Sequence, residues 1–102
     1  MHNIIIKDRA LTDALDAYLY YEDKLDGLGD KFLKALHDRY DQLSISPENY
    51  SFIDKRKKLR DIKLRGFPYV IIYDNIGTEV TVYAIHNSHK NTKYIDQVKS
   101  DT

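Results

Sequence analysis

Seven cations crowd the positions from 54 to 66: Lys55, Arg56, Lys57, Lys58, Arg60, Lys63 and Arg65 stand against only Asp54 and Asp61, a local charge of +5. Arginine suits phosphate and carboxylate because its planar fork donates two parallel hydrogen bonds, and lysine adds a point charge. Further along, the stretch "HNSHK" contributes His86, His89 and Lys90. An imidazole titrates near neutrality and can serve as a general acid or base. Cations and histidine together suit either chemistry at a phosphate or a grip on an anionic partner. The same charges also fit a basic edge strand that deters sheet-to-sheet aggregation. Charge alone leaves both readings open.

Other constellations carry less. His86-x-x-His89 has no cysteine or carboxylate close by in sequence, so a metal centre is not expected. The four glycines, 27, 29, 66 and 77, read as turn residues and form no phosphate loop, and no cofactor is expected. Asp16 and Asp23 fit a solvated helix face, and His37 reads as a surface residue. Tyr69, Tyr73, Tyr83 and Tyr94 offer stacking surfaces for bases. In a chain with nine tyrosines most fill the core, and Tyr69 and Tyr73 are assigned there.

The bulk composition bounds the molecule that must position these groups. At 102 residues the chain is expected to form one domain spanning 1–102. Its 42% hydrophobic and 31% charged residues fit a folded chain rather than a disordered one. The absence of cysteine excludes disulfides, a redox CxxC pair and thiolate metal sites, and fits a reducing compartment. The isoleucines 4–6 are too short for a secretion signal, and no apolar run approaches the roughly 20 residues that span a bilayer. A cytoplasmic protein without a membrane segment is the expectation. Net charge is zero, yet residues 1–50 sum to −4 and residues 51–102 to +4. Such segregation points to one face built for an anionic partner.

Periodicity supplies the elements. Residues 2–7 read as a short β-branched strand. Leu11, Ala14, Leu15, Tyr18, Tyr21 and Leu25 then recur at three- and four-residue steps, predicting a helix capped by Asp8 and broken by Gly27 and Gly29. A second helix over 30–44, capped by Asp30, carries Phe32, Leu36, Tyr40 and Leu43 and stops at Ser46-Pro47. After an irregular stretch, Arg60, Ile62 and Leu64 alternate with Leu59, Asp61, Lys63 and Arg65 along a strand. "GFPYVIIYD" (66–74) is apolar on both sides, as a central strand should be, with Pro68 at its start. A turn at 74–78 leads into a last strand at 79–86, and Thr92 to Lys99 reads as a short helical turn.

The resulting order, β-α-α-β-β-β, predicts an α+β fold with a helical hairpin packed on one face of a small, mainly antiparallel sheet. The other face is expected to be open, bordered by the basic strand and crossed by its cations.

This combination resembles the RelE/ParE superfamily of type II toxin–antitoxin toxins. The resemblance runs through Ala10 to Asp13, Ala17, "YYEDKLDGLGDKF" (20–32), Arg60, "FPYVIIY" (67–73) and "VYAIHNSHKN" (82–91). It implies a toxin neutralised by a cognate antitoxin, as a hetero-oligomer. Two departures bear on the target. The ribonuclease branch resembling RelE places an arginine directly after the tyrosine of the third strand, where this chain has Val70. The terminal element reads His89-Lys90-Asn91-Thr92, with Lys for Arg and Thr for Pro. The Phe-Pro-Tyr form looks closer to the ParE side, which implies binding to an essential target such as DNA gyrase. The alternative implied is a ribosome-dependent mRNA interferase with Arg60, Arg65, His89 and Lys90 around the scissile phosphate. A third is an inactive relative serving as an interaction module. In each case Lys55, Arg56, Lys57, Lys58, Arg60, Lys63, Arg65, His86 and Lys90 are the expected binding residues, and Arg60→Ala is expected to weaken function with the fold intact.

Overall fold

The structure, a computed structural model, describes residues 1–90 together with Val98 and Lys99. Its elements are β1 (Asn3–Ile6), α1 (Asp8–Lys24), α2 (Leu28–Ile45), a single 3-10 turn (Pro47–Asn49), β2 (Phe52–Asp54), β3 (Leu59–Lys63), β4 (Tyr69–Ile76) and β5 (Glu79–Asn87). They build a five-stranded sheet in the order β1-β5-β4-β3-β2. β1 runs parallel to β5 and the remaining pairs are antiparallel. The α+β architecture is as expected, with one strand more than the sequence indicated. β2 holds three residues and pairs with β3 through a register shift, too little to leave a period-two pattern.

The principal core lies between the helical hairpin and the sheet. Phe32, Leu36 and Leu43 of α2 meet Ile62, Ile71, Tyr73, Val80, Val82 and Ile85, all buried. Tyr73 is fully buried, and its hydroxyl donates a 2.6 Å hydrogen bond to the Pro47 carbonyl. Tyr69 packs half-buried at the margin. Tyr73 thus fills the core as expected, whereas Tyr69 packs against its edge.

α1 is turned relative to expectation. Ala10, Ala14, Ala17 and Tyr21 face inward, while Leu11, Leu15 and Leu25 are more than half exposed. Small residues on the inner side let α1 lie close to its neighbours. Gly29 serves the same end. It sits inside α2, not at a helix break, and a Cβ there would lie 2.8 Å from the Tyr18 ring and carbonyl oxygen. Gly27, at φ 89°, makes the actual turn. Neither expected cap is one: Asp8 and Asp30 lie in the first turns of their helices, and the cap positions are Lys7 and Gly27. The N-terminus of α2 is satisfied instead by Glu22, whose carboxylate accepts the Gly27 and Gly29 N–H groups at 3.0 Å each. Gly29→Ala should therefore destabilise by about 1–2 kcal/mol, since overpacking outweighs the better helix propensity of alanine. A thermal melt that rises for this variant would contradict the close approach.

The sheet's other face is not left open. Leu59, Val70 and Ile72 pack there with Val98, and half-buried Ile53 and Tyr83 join them. Lys99 lies 2.5 Å from the buried Asp74 carboxylate and donates to the Lys57 carbonyl at 2.7 Å. Tyr83 donates to the same carboxylate at 2.8 Å. The expected helical turn over 92–99 falls mostly outside the described residues, as does Tyr94.

Candidate functional site

The candidate cations occupy separate neighbourhoods. Lys55, Arg56 and Lys58 project from the turn between β2 and β3 and are exposed. Asp54 shapes that turn by accepting the Lys57 N–H at 3.0 Å, and Lys58 adopts φ 59°. A residue with a Cβ rarely takes that left-handed backbone conformation, which turns the chain sharply before β3. Lys63 is exposed at the end of β3, and its carbonyl accepts a 2.6 Å hydrogen bond from Arg39 Nε.

Arg60 does not join a cationic strip on the far face. Its register partner across the ladder is Tyr73, which packs on the helix side, so Arg60 belongs to that side too. The guanidinium donates to the carbonyls of Glu48 (3.1 Å) and Tyr50 and lies 3.9 Å from the centre of the Phe52 ring. It ties the segment after α2 to the sheet. Arg60→Ala is therefore not expected to leave the fold untouched, a correction to the reading from sequence.

Two grooves hold the remaining candidates. The first, of about 490 Å³, lies between α1 and the end of β5 and is lined by Arg9, Asp13, Asp16, Tyr20, Tyr69, His86 and Lys90 among others. Asp13 accepts the Ile85 N–H at 3.0 Å, and its carboxylate lies 3.9 Å from Arg9. Burial raises the Asp13 pKa, and the Ile85 N–H and Arg9 oppose that only in part. Burial lowers the His86 pKa, although its Nε2 lies 3.3 Å from the Lys90 carbonyl. A lowered imidazole pKa favours the neutral form in the folded protein. Its contribution to stability is full above the unfolded value near 6.5 and is lost as pH falls through the folded value. An NMR titration should accordingly place the His86 midpoint below that of a free imidazole. A midpoint above it would contradict the described environment.

The second groove, also about 490 Å³, runs between α2 and the connection from β3 to β4. Lys31, Lys34, Asp38, Arg39 and Asp41 line it from α2, and Arg65 and Phe67 from the connection. Arg65 thus sits in one groove and His86 with Lys90 in the other, while neither groove includes Arg60 or His89. His89 is exposed on the turn after β5, its N–H on Asn87 Oδ1 at 2.9 Å. Among the described residues, no group of three or more histidine, cysteine, aspartate or glutamate residues is placed to hold a metal ion. No described helix is long and apolar enough to cross a membrane.

Sequence reasoning missed Lys31, Lys34 and Arg39 as neighbours of Arg65, and Arg9 and Asp13 as neighbours of His86. Lys31, Lys34, Asp38 and Gln42 recur at three- and four-residue steps, so their common face was readable. Their meeting with Arg65 depends on how the hairpin docks. The position after Tyr69 is equally informative: Val70 is buried against Leu59 and Ile72, so it serves packing.

The family model described as ParE toxin of type II toxin-antitoxin system, parDE, matches residues 4–92. No curated protein matches the chain. Among solved structures, the chromosomal ParDE TA system from P. aeruginosa aligns with a TM-score of 0.63 at 21% identity, covering 85% of this chain and 96% of that one. The isolated E. coli RelE toxin aligns with a TM-score of 0.63 at 20% identity and covers 100% of both chains. At these identities the likeness speaks for the fold.

Proposed function

Because this chain belongs to the ParE toxin family of type II toxin–antitoxin systems, we propose that it inhibits growth by binding an essential target, DNA gyrase, and that a cognate antitoxin neutralises it in the cytoplasm. The observation that carries a binding rather than a cleaving role is Val70, buried where the ribonuclease branch resembling RelE places an arginine. A buried aliphatic side chain offers nothing to a pentacoordinate phosphate. The separation of Arg60, Arg65 and Lys90 supports the same reading, since a cleavage site needs its groups within about 3 Å of one reacting centre.

The antitoxin's part follows from charge. An acidic segment laid along the basic turn at Lys55, Arg56 and Lys58 would find exposed cations on a turn whose backbone Asp54 ties. Association of this kind weakens as salt rises. The test is inducible expression with parallel pulse labelling of DNA, RNA and protein. DNA synthesis should stop first, accompanied by a damage response, and co-expression of the antitoxin should restore growth. Protein synthesis stopping first, with fresh cuts in mRNA, would instead support an mRNA interferase.

A further inference from the structure

We propose that the groove between α2 and the β3–β4 connection docks an acidic segment of a partner protein, its carboxylates held by Lys31, Lys34 and Arg65 and an apolar side chain seated on Phe67. Four cations and two carboxylates line this groove in a chain whose net charge is zero. Three of the cations share α2, and Arg65 meets them only through the docking of the hairpin. Lys34 is paired with Asp38 at 3.1 Å, and Arg39 is tied to the Lys63 carbonyl and to Gln42. Among the described residues the side chains of Lys31 and Arg65 have no hydrogen-bond or ion-pair partner, and both are exposed. These are the charges an incoming anion can take up.

The floor is preorganised. Phe67 is half-buried and packs edge-on against Tyr21 at 4.9 Å and Phe32 at 5.4 Å between ring centres. Gly66, at φ 82°, lets the chain turn between Arg65 and this ring. A fixed aromatic floor beneath a charged rim suits a peptide with one apolar anchor and flanking acids. The carboxylates decide between peptide and nucleic acid. A phosphate backbone is charged at every unit and would meet Asp38 and Asp41 on the same wall. A peptide can set neutral residues opposite them. The inference holds whichever target the toxin has.

The test uses the full chain, a short labelled peptide of glutamates flanking one phenylalanine, and a single-stranded oligonucleotide of the same net charge. NMR shifts on adding the peptide should cluster at Lys31, Lys34, Arg65 and Phe67. Lys31→Glu combined with Arg65→Glu should weaken binding roughly tenfold or more, because unpaired cations become repelling carboxylates. Both positions are exposed, so the melting temperature should change little. Charge reversal at Lys55 and Arg56, on the turn, should cost less affinity than reversal of the groove pair, and reversal at Lys7, exposed and outside both grooves, should leave it unchanged. The proposal is overturned if the peptide does not bind, if the turn variant abolishes binding and the groove variant does not, or if the oligonucleotide occupies the groove as tightly as the peptide.

Discussion

Phe32→Ala should lower the unfolding free energy by about 3–5 kcal/mol, the largest loss expected from any single truncation in the hairpin. Phe32 is fully buried and stands where the helices meet the sheet. Its ring lies 5.7 Å from Tyr21, 5.4 Å from Phe67 and 5.3 Å from Tyr69. Removing it leaves a cavity walled by three rings that are themselves anchored from different elements, so collapse around the gap is limited. Phe67 would lose one of its two supports, and the floor of the second groove would loosen. Denaturant unfolding measures the effect directly. A loss below about 1 kcal/mol would mean that this cluster does not hold the hairpin to the sheet.

Arg60→Ala should cost about 2–3 kcal/mol, more than an exposed arginine would. Truncation strips the carbonyls of Glu48 and Tyr50 of a charged donor and removes the guanidinium from the Phe52 ring. The consequence for function is specific. A loss of toxicity in this variant would not identify Arg60 as a residue that touches the target, because the segment from Pro47 to Phe52 would loosen as well. Arg60→Lys is the better probe. Both carbonyls are reached from Nη1 alone, so an ammonium can still donate to them, but lysine loses the guanidinium over the Phe52 ring and should recover only part of the stability. Equal stability of Arg60→Ala and the parent chain would overturn the structural role.

The α+β architecture and the hairpin were legible because they rest on local signals: long periodic stripes, a proline stop and a two-sided apolar strand. The rotation of α1 was not. Its sequence holds two competing stripes, leucines at 11, 15 and 25 and alanines at 10, 14 and 17. Residue hydrophobicity favours the leucines, whereas the close approach demanded by Gly29 and Tyr18 favours the alanines. β2 was missed because three residues beside an irregular register leave no pattern. The cations of 54–66 and the 86–90 stretch stood out in the sequence, but neither their separation nor the α1 and α2 groups beside them did. Strand alternation put Arg60 with Ile62 and Leu64, which pointed to the helix side once those two became core. The charge density of 54–66 drew attention to a strip on the far face. There, Val98 and Lys99 instead cover part of the sheet, a contact with no local signature.

The most direct test of gyrase as the target is DNA supercoiling by the purified enzyme in the presence of the purified chain, without ribosomes. Supercoiling should stop as the chain is added and resume when a cognate antitoxin is supplied. Undiminished supercoiling, together with cutting of mRNA once ribosomes are present, would contradict that target.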